Sequence, residues 1–152
     1  MPVFAFIILI GVVVWFIFFK VRTLRIKKYI MQRKTIKEGT EFTVGIELRN
    51  TMGSKVTDVT VTDFVPSIFT VKDAHGVTAH RLKSGIGTEL RWEIKELVKN
   101  DERVLSYKLV PVFGIHGQIK LPSAKVVFRS GKRKKTNSSF APHLGIKQKK
   151  EE

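Results

Sequence analysis

From Pro2 to Phe19 the chain reads PVFAFIILIGVVVWFIFF, 18 consecutive residues without a charge or a strong hydrogen-bonding side chain. At a rise of about 1.5 Å per residue this run would cover roughly 27 Å as a helix, close to a hydrocarbon core of about 30 Å. Val21 and Leu24 extend it, with Lys20 and Arg22 free to reach outward, so the sequence predicts a single transmembrane helix. A cleaved signal peptide fits less well, because nothing basic precedes the run and no small-residue cleavage site follows it. Gly11 stands alone, without the small-xxx-small spacing that pairs helices in a membrane.

The charge distribution gives the predicted anchor an orientation. Of the +15 net charge, +7 falls in residues 20–35, where Lys20, Arg22, Arg25, Lys27, Lys28, Arg33 and Lys34 meet no acid. Residues 36–128 are nearly balanced, with 13 basic and 11 acidic side chains, and the last 24 residues carry +6. The positive-inside rule therefore predicts a cell-membrane protein, N-terminus outside and the remainder cytoplasmic. The same seven cations form a predicted contact with the membrane surface, and Ile26, Tyr29 and Ile30 would let a helix continue along the headgroups. Residues 1–30 are thus read as the transmembrane helix and its basic flank.

Beyond Gly39 the periodicity changes to two. Phe42, Val44, Ile46 and Leu48 alternate with Thr43, Gly45 and Glu47, the signature of a strand with one buried face. Asn50 to Ser54 reads as a turn, and a second strand with Val59 and Val61 inward is closed by Pro66, which cannot serve a central ladder. Leu90, Trp92 and Ile94 alternate, as do Leu105, Tyr107 and Leu109. Further strands are predicted near 69–72, 77–82 and 118–129. About seven short strands with no helical stretch predict a mainly β domain over 31–130, an immunoglobulin-like antiparallel sandwich, with an open barrel as the alternative.

Several of these residues carry a family resemblance. Asn50 at a strand end, Thr60-Val61-Thr62-Asp63-Phe64-Val65-Pro66, Arg91-Trp92-Glu93-Ile94 leading to Leu97, Glu102 ahead of Tyr107, and Leu121-Pro122-Ser123-Ala124-Lys125-Val126 together resemble the conserved-repeat sandwich of prokaryotic, especially archaeal, envelope and membrane proteins. The likeness covers residues 38–130. Asn100-Asp101-Glu102 stands where the family usually has Gly-Glu. The resemblance implies an immunoglobulin-like fold and a binding or structural role, and it implies no catalytic residues. Because such sandwiches are mostly extracellular, it also supplies the alternative that the β domain lies outside, as an envelope or surface-layer component.

The sequence offers no chemistry of turnover. With no cysteine, there are no disulfides, thiolate nucleophiles or Cys-type metal sites. His75, His80, His116 and His143 lack metal-ligand spacing, and no phosphate loop, dinucleotide fingerprint or nucleophile elbow is present. No enzyme, metal or cofactor is predicted. Asp63 reads as a local hydrogen-bonding residue ahead of Pro66, and Trp92 and Tyr107 as core. Residues 131–152 read as a basic tail, disordered over the last ten residues, with Lys132, Arg133, Lys134 and Lys135 as a contact for a partner; 138–142 could add an edge strand that makes this run a hairpin tip. The expected function is a membrane-anchored, non-catalytic interaction or scaffold module whose basic segments meet anionic lipid or an acidic protein. Nucleic acid is the weaker reading, since only Phe140 stands near the basic run to stack on a base.

Overall fold

Alternation becomes strand over the middle of the chain. The computed structural model describes residues 2–20, 23–37, 39–74, 78–81, 85–112 and 114–147, with only the backbone path for 2–6, 18–20 and 78–81. A helix, α1 (Pro2–Lys20), precedes β1 (Leu24–Ile36), β2 (Gly39–Asn50), β3 (Val56–Pro66), β4 (Phe69–Lys72), β5 (Thr78–Arg81) and β6 (Gly87–Leu97). Then follow β7 (Glu102–Pro111), β8 (Gly117–Lys120), β9 (Lys125–Ser130), β10 (Arg133–Ser138) and β11 (His143–Ile146). They form a four-stranded sheet in the order β1-β2-β7-β4, a five-stranded sheet in the order β10-β9-β3-β6-β5, and a β11-β8 ribbon. Every pairing is antiparallel.

The inward-facing members of each alternation make one core. Leu24, Phe42, Val44, Ile46, Leu48 and Leu109 come from the first sheet, and Val59, Val61, Leu90, Trp92, Val126 and Phe128 from the second; all are buried. Each buried aliphatic or Phe side chain contributes about 1.5–3 kcal/mol relative to exposure, so this interior drives the stacking of the sheets. Trp92 of β6 meets Tyr107 of β7 across the interior, ring centroids 6.0 Å apart. Leu144 and Ile146 of β11 close one end of the core.

Two local devices fix the strand connections. Buried Asn50 points its Nδ2 at the carbonyls of Leu97, Ser54 and Val98 at 3.0–3.1 Å, while its Oδ1 accepts from the Met52 amide at 3.0 Å. This ties the β2–β3 turn to the β6–β7 turn. At Gly87 a Cβ would lie 2.3 Å from the Val65 carbonyl oxygen, so only glycine lets β6 start against the end of β3.

Four expectations are corrected. Among the described residues no helix is long and apolar enough to cross a membrane, so the transmembrane helix is not supported. The chain leaves the helix at Lys20, and Leu24, counted as the last turn of the span, is a fully buried residue of the sandwich. Secondly, the basic flank is strand rather than helix: Leu24, Ile26, Lys28 and Ile30 turn inward while Arg25 and Lys27 are exposed, so the sandwich begins before residue 31. Thirdly, the predicted strand over 118–129 is two strands, because Pro122 interrupts it and the chain crosses from the ribbon to the five-stranded sheet. Finally, the basic tail is largely built into the fold, with Arg133–Ser138 on β9 and His143–Ile146 on β8. Backbone pairing to an apolar neighbour strand orders a segment whose own composition looks disordered.

β1 also carries a bulge between Ile30 and Gln32. Beyond it Arg33 pairs with Phe42 and lays its guanidinium 5.2 Å from the Phe42 ring centroid. An arginine thus covers the end of the core.

Candidate functional site

The predicted membrane-contact residues separate into different environments. Lys20 is the last residue of α1, and Arg22 lies outside the described residues. Arg25, Lys27 and Lys34 are exposed, with the Lys27 ammonium 5.6 Å from the Tyr29 ring centroid. Arg33 lies over Phe42, as above. Lys28 departs from the expectation altogether, since its side chain is wholly inaccessible. A lysine in that position cannot touch a lipid headgroup.

Lys28 lies between the sheets because its parity is that of Leu24 and Ile26. Its Nζ is 2.6 Å from Asp63 Oδ1, and the Asp63 side chain is equally inaccessible. Asp63 faces inward for the same reason, standing between Val61 and Val65 on β3. The Lys28 ammonium also donates to the Pro122 carbonyl at 2.8 Å, and the Tyr107 hydroxyl donates to Asp63 Oδ2. Asp63 is therefore a cross-sheet residue, not the local turn-former expected from its place ahead of Pro66. Burial pulls the Lys28 ammonium below its ordinary range despite the attraction of Asp63. Burial likewise pushes the Asp63 carboxyl up, against Lys28 and the hydrogen bonds from Tyr107 and the Phe64 amide. Tyr107 is held well above its ordinary value by burial and by the neighbouring carboxylate. Desolvation leads in all three, and for the Lys28–Asp63 pair it favours the uncharged partners. Beside this centre the Trp92 indole Nε1 is buried and has no hydrogen-bond partner among the described residues.

The second basic segment is at the surface. Lys132 sits in the β9–β10 turn, and Arg133, Lys134 and Lys135 are exposed on β10, the end strand of its sheet. Lys134 pairs with Arg129, and both line a groove of about 390 Å³ with Asp58, Thr60, Thr62, Arg91 and Val127. Asp58 is the single acid in that lining and lies 3.7 Å from Arg129. Asn137 at the other end of β10 donates to the Leu24 carbonyl at 3.0 Å, joining this edge to β1. Here the structure brings part of the two basic segments to neighbouring strands, although Lys28 is spent on the interior and the exposed Arg33 lies over the Phe42 ring.

Among the described residues no cluster of three His, Asp or Glu could hold a metal. His116 and His143 are exposed, and His75 lies outside the described residues. Sequence reasoning missed the Lys28–Asp63–Tyr107 centre, although a signal existed: each residue occupies the inward parity of its strand.

No protein-family model matches the chain, and no curated protein matches it. Among solved structures, an exo-β-N-acetylglucosaminidase of Vibrio harveyi is matched as an inactive variant over 82% of this chain at 10% identity and a TM-score of 0.47. Its N-acetylglucosamine complex is matched over 85% at 11% identity and the same TM-score. This chain spans 19% of the length of that enzyme. A protein of Nocardia farcinica described as having an immunoglobulin-like fold is matched over 81% of this chain and 98% of its own, at 13% identity and a TM-score of 0.52. That last likeness, with the two facing antiparallel sheets, gives the chain an immunoglobulin-like fold.

Proposed function

We propose that the protein is an interaction module that acts on no external substrate and holds an extended acidic polypeptide along the outer edge of β10. The observation that carries this reading is the exposed row Arg133, Lys134 and Lys135 on an end strand, with Lys132 in the turn before it, beside a groove with three cations and one acid. An end strand offers backbone donors and acceptors to an added strand, and its side chains then select the partner. Like charge on this edge opposes pairing with a second copy, whereas an acidic strand meets attraction at each basic position. The same lysines thus guard the edge and define its ligand. The likeness to conserved-repeat sandwiches supports a binding or structural role of this kind.

The test is the binding of a fluorescent polyglutamate peptide, followed by anisotropy at low and high salt. The expected result is binding by the wild-type chain that weakens with salt and is lost when Lys132, Arg133, Lys134 and Lys135 are all replaced by Gln. Equal binding by that variant overturns the proposal. So does wild-type binding to anionic phosphatidylserine vesicles with none to the peptide, which would return the hairpin to a lipid.

A further inference from the structure

Lys28 and Asp63 hold an amine against a carboxyl group between two sheets, in a chain without cysteine. We propose that the protein cross-links itself here, the Lys28 side chain condensing with the Asp63 carboxyl to an amide that joins β1 to β3.

Three features of the site favour that reaction. Contact is already made, with Nζ 2.6 Å from Oδ1 and both side chains wholly enclosed. Groups fixed in this way react at effective concentrations of about 10⁵ to 10⁸ M, which offsets the poor reactivity of a free amine toward a free acid. Next, the enclosure that disfavours charge also produces the reactive forms. Transfer of one proton from Nζ to Oδ1 turns an ammonium and a carboxylate into a nucleophilic amine and an electrophilic acid, and burial biases both groups in that direction. Lastly, the two outer partners hold the remaining atoms. The Pro122 carbonyl fixes the amine, and the Tyr107 hydroxyl is bonded to Oδ2, where negative charge develops once Nζ adds to Cγ.

The step balances without any other reactant. The Nζ–Cγ bond forms and the Cγ–Oδ1 bond breaks. Two protons leave the ammonium, and both depart with Oδ1 as water. Oδ2 becomes the amide oxygen and keeps its hydrogen bond from Tyr107. Nothing is oxidised or reduced, so the link is indifferent to the redox state of the compartment. It is a single event in the life of the chain, compatible with a module that turns over no substrate.

The test is the intact mass of the folded full-length chain, measured after denaturation. The expected mass is that of the sequence less one water, and trypsin should release the Lys28 and Asp63 peptides joined, with no cleavage after Lys28. The K28M and D63L variants should each show the full sequence mass. In Y107F, formation of the link in freshly synthesised chain should slow about a hundredfold, the scale of losing one oxyanion donor. A wild-type chain that melts cooperatively yet carries the full mass overturns the proposal, because folding has then occurred without reaction. Water loss that persists in K28M overturns it too, by moving the dehydration elsewhere. An unchanged rate in Y107F overturns the role given to Tyr107.

Discussion

Lys27 and Lys28 are neighbours in one strand, yet they belong to two different kinds of site. Lys27 lies on the outer face over Tyr29, whereas Lys28 is sealed between the sheets against Asp63. The same contrast separates the β9–β10 hairpin from the Lys28–Asp63–Tyr107 centre. On the hairpin, charge is solvated, screened by salt and free to meet a partner. Between the sheets, charge is costly, and its partner has to be supplied by the fold. The parity of a strand, rather than the number of lysines in it, decides which regime a residue enters.

The contrast can be broken most severely at the centre. Lys28→Ala should cost at least about 3–5 kcal/mol in urea unfolding, because it leaves the enclosed Asp63 carboxyl without its partner and removes the proposed cross-link. The double variant K28M/D63L should recover the part of that loss that comes from the enclosed, unpartnered carboxyl, while the part owed to the cross-link stays lost; a double variant as unstable as the single one would show that apolar side chains cannot fill the site. A neutral buried group should matter less. Asn50→Ala removes the amide that reaches Leu97, Ser54 and Val98, so a loss of about 2–3 kcal/mol is expected in the same measurement. At the far end of the scale is α1. Its described side chains from Ile7 to Ile17 are 45–64% exposed and lie outside the core, so deleting residues 1–20 should leave the sandwich midpoint within about 0.5 kcal/mol. A larger drop would mean that the helix supports the β domain.

The β2, β3, β6 and β7 strands were legible because their inward positions are apolar and their outward ones polar, as in Phe42 to Leu48 and Leu90 to Ile94. β1 was not legible as a strand. It follows an apolar run, carries cations on both faces and places a lysine in a core position, so composition pointed to a membrane flank. β10 has no apolar residue to alternate, and its order comes from pairing with Val126, Val127 and Phe128 on β9. The sequence places the second strand of the basic hairpin at 138–142 with the lysines at its tip, whereas that strand is Arg133–Ser138 and the turn is at Gly131 and Lys132. The buried centre could not be assembled from sequence alone, because its residues are 35 and 44 positions apart and meet only when the sheets stack.

The bulge at Met31 shifts the phase of β1. Before it, even-numbered residues stand on the core side; after it that side passes to odd-numbered ones, as the pairing of Arg33 with Phe42 records, although Arg33 and Thr35 are exposed. One unpaired residue therefore reassigns every later side chain in the strand. A β1 lacking Met31 would keep Arg33 opposite Phe42 in an uninterrupted ladder, whereas a β1 that kept every residue in strict alternation would turn Arg33 away from that ring. Spacing along the strand is thus as much a part of the protein's charge distribution as the charges themselves.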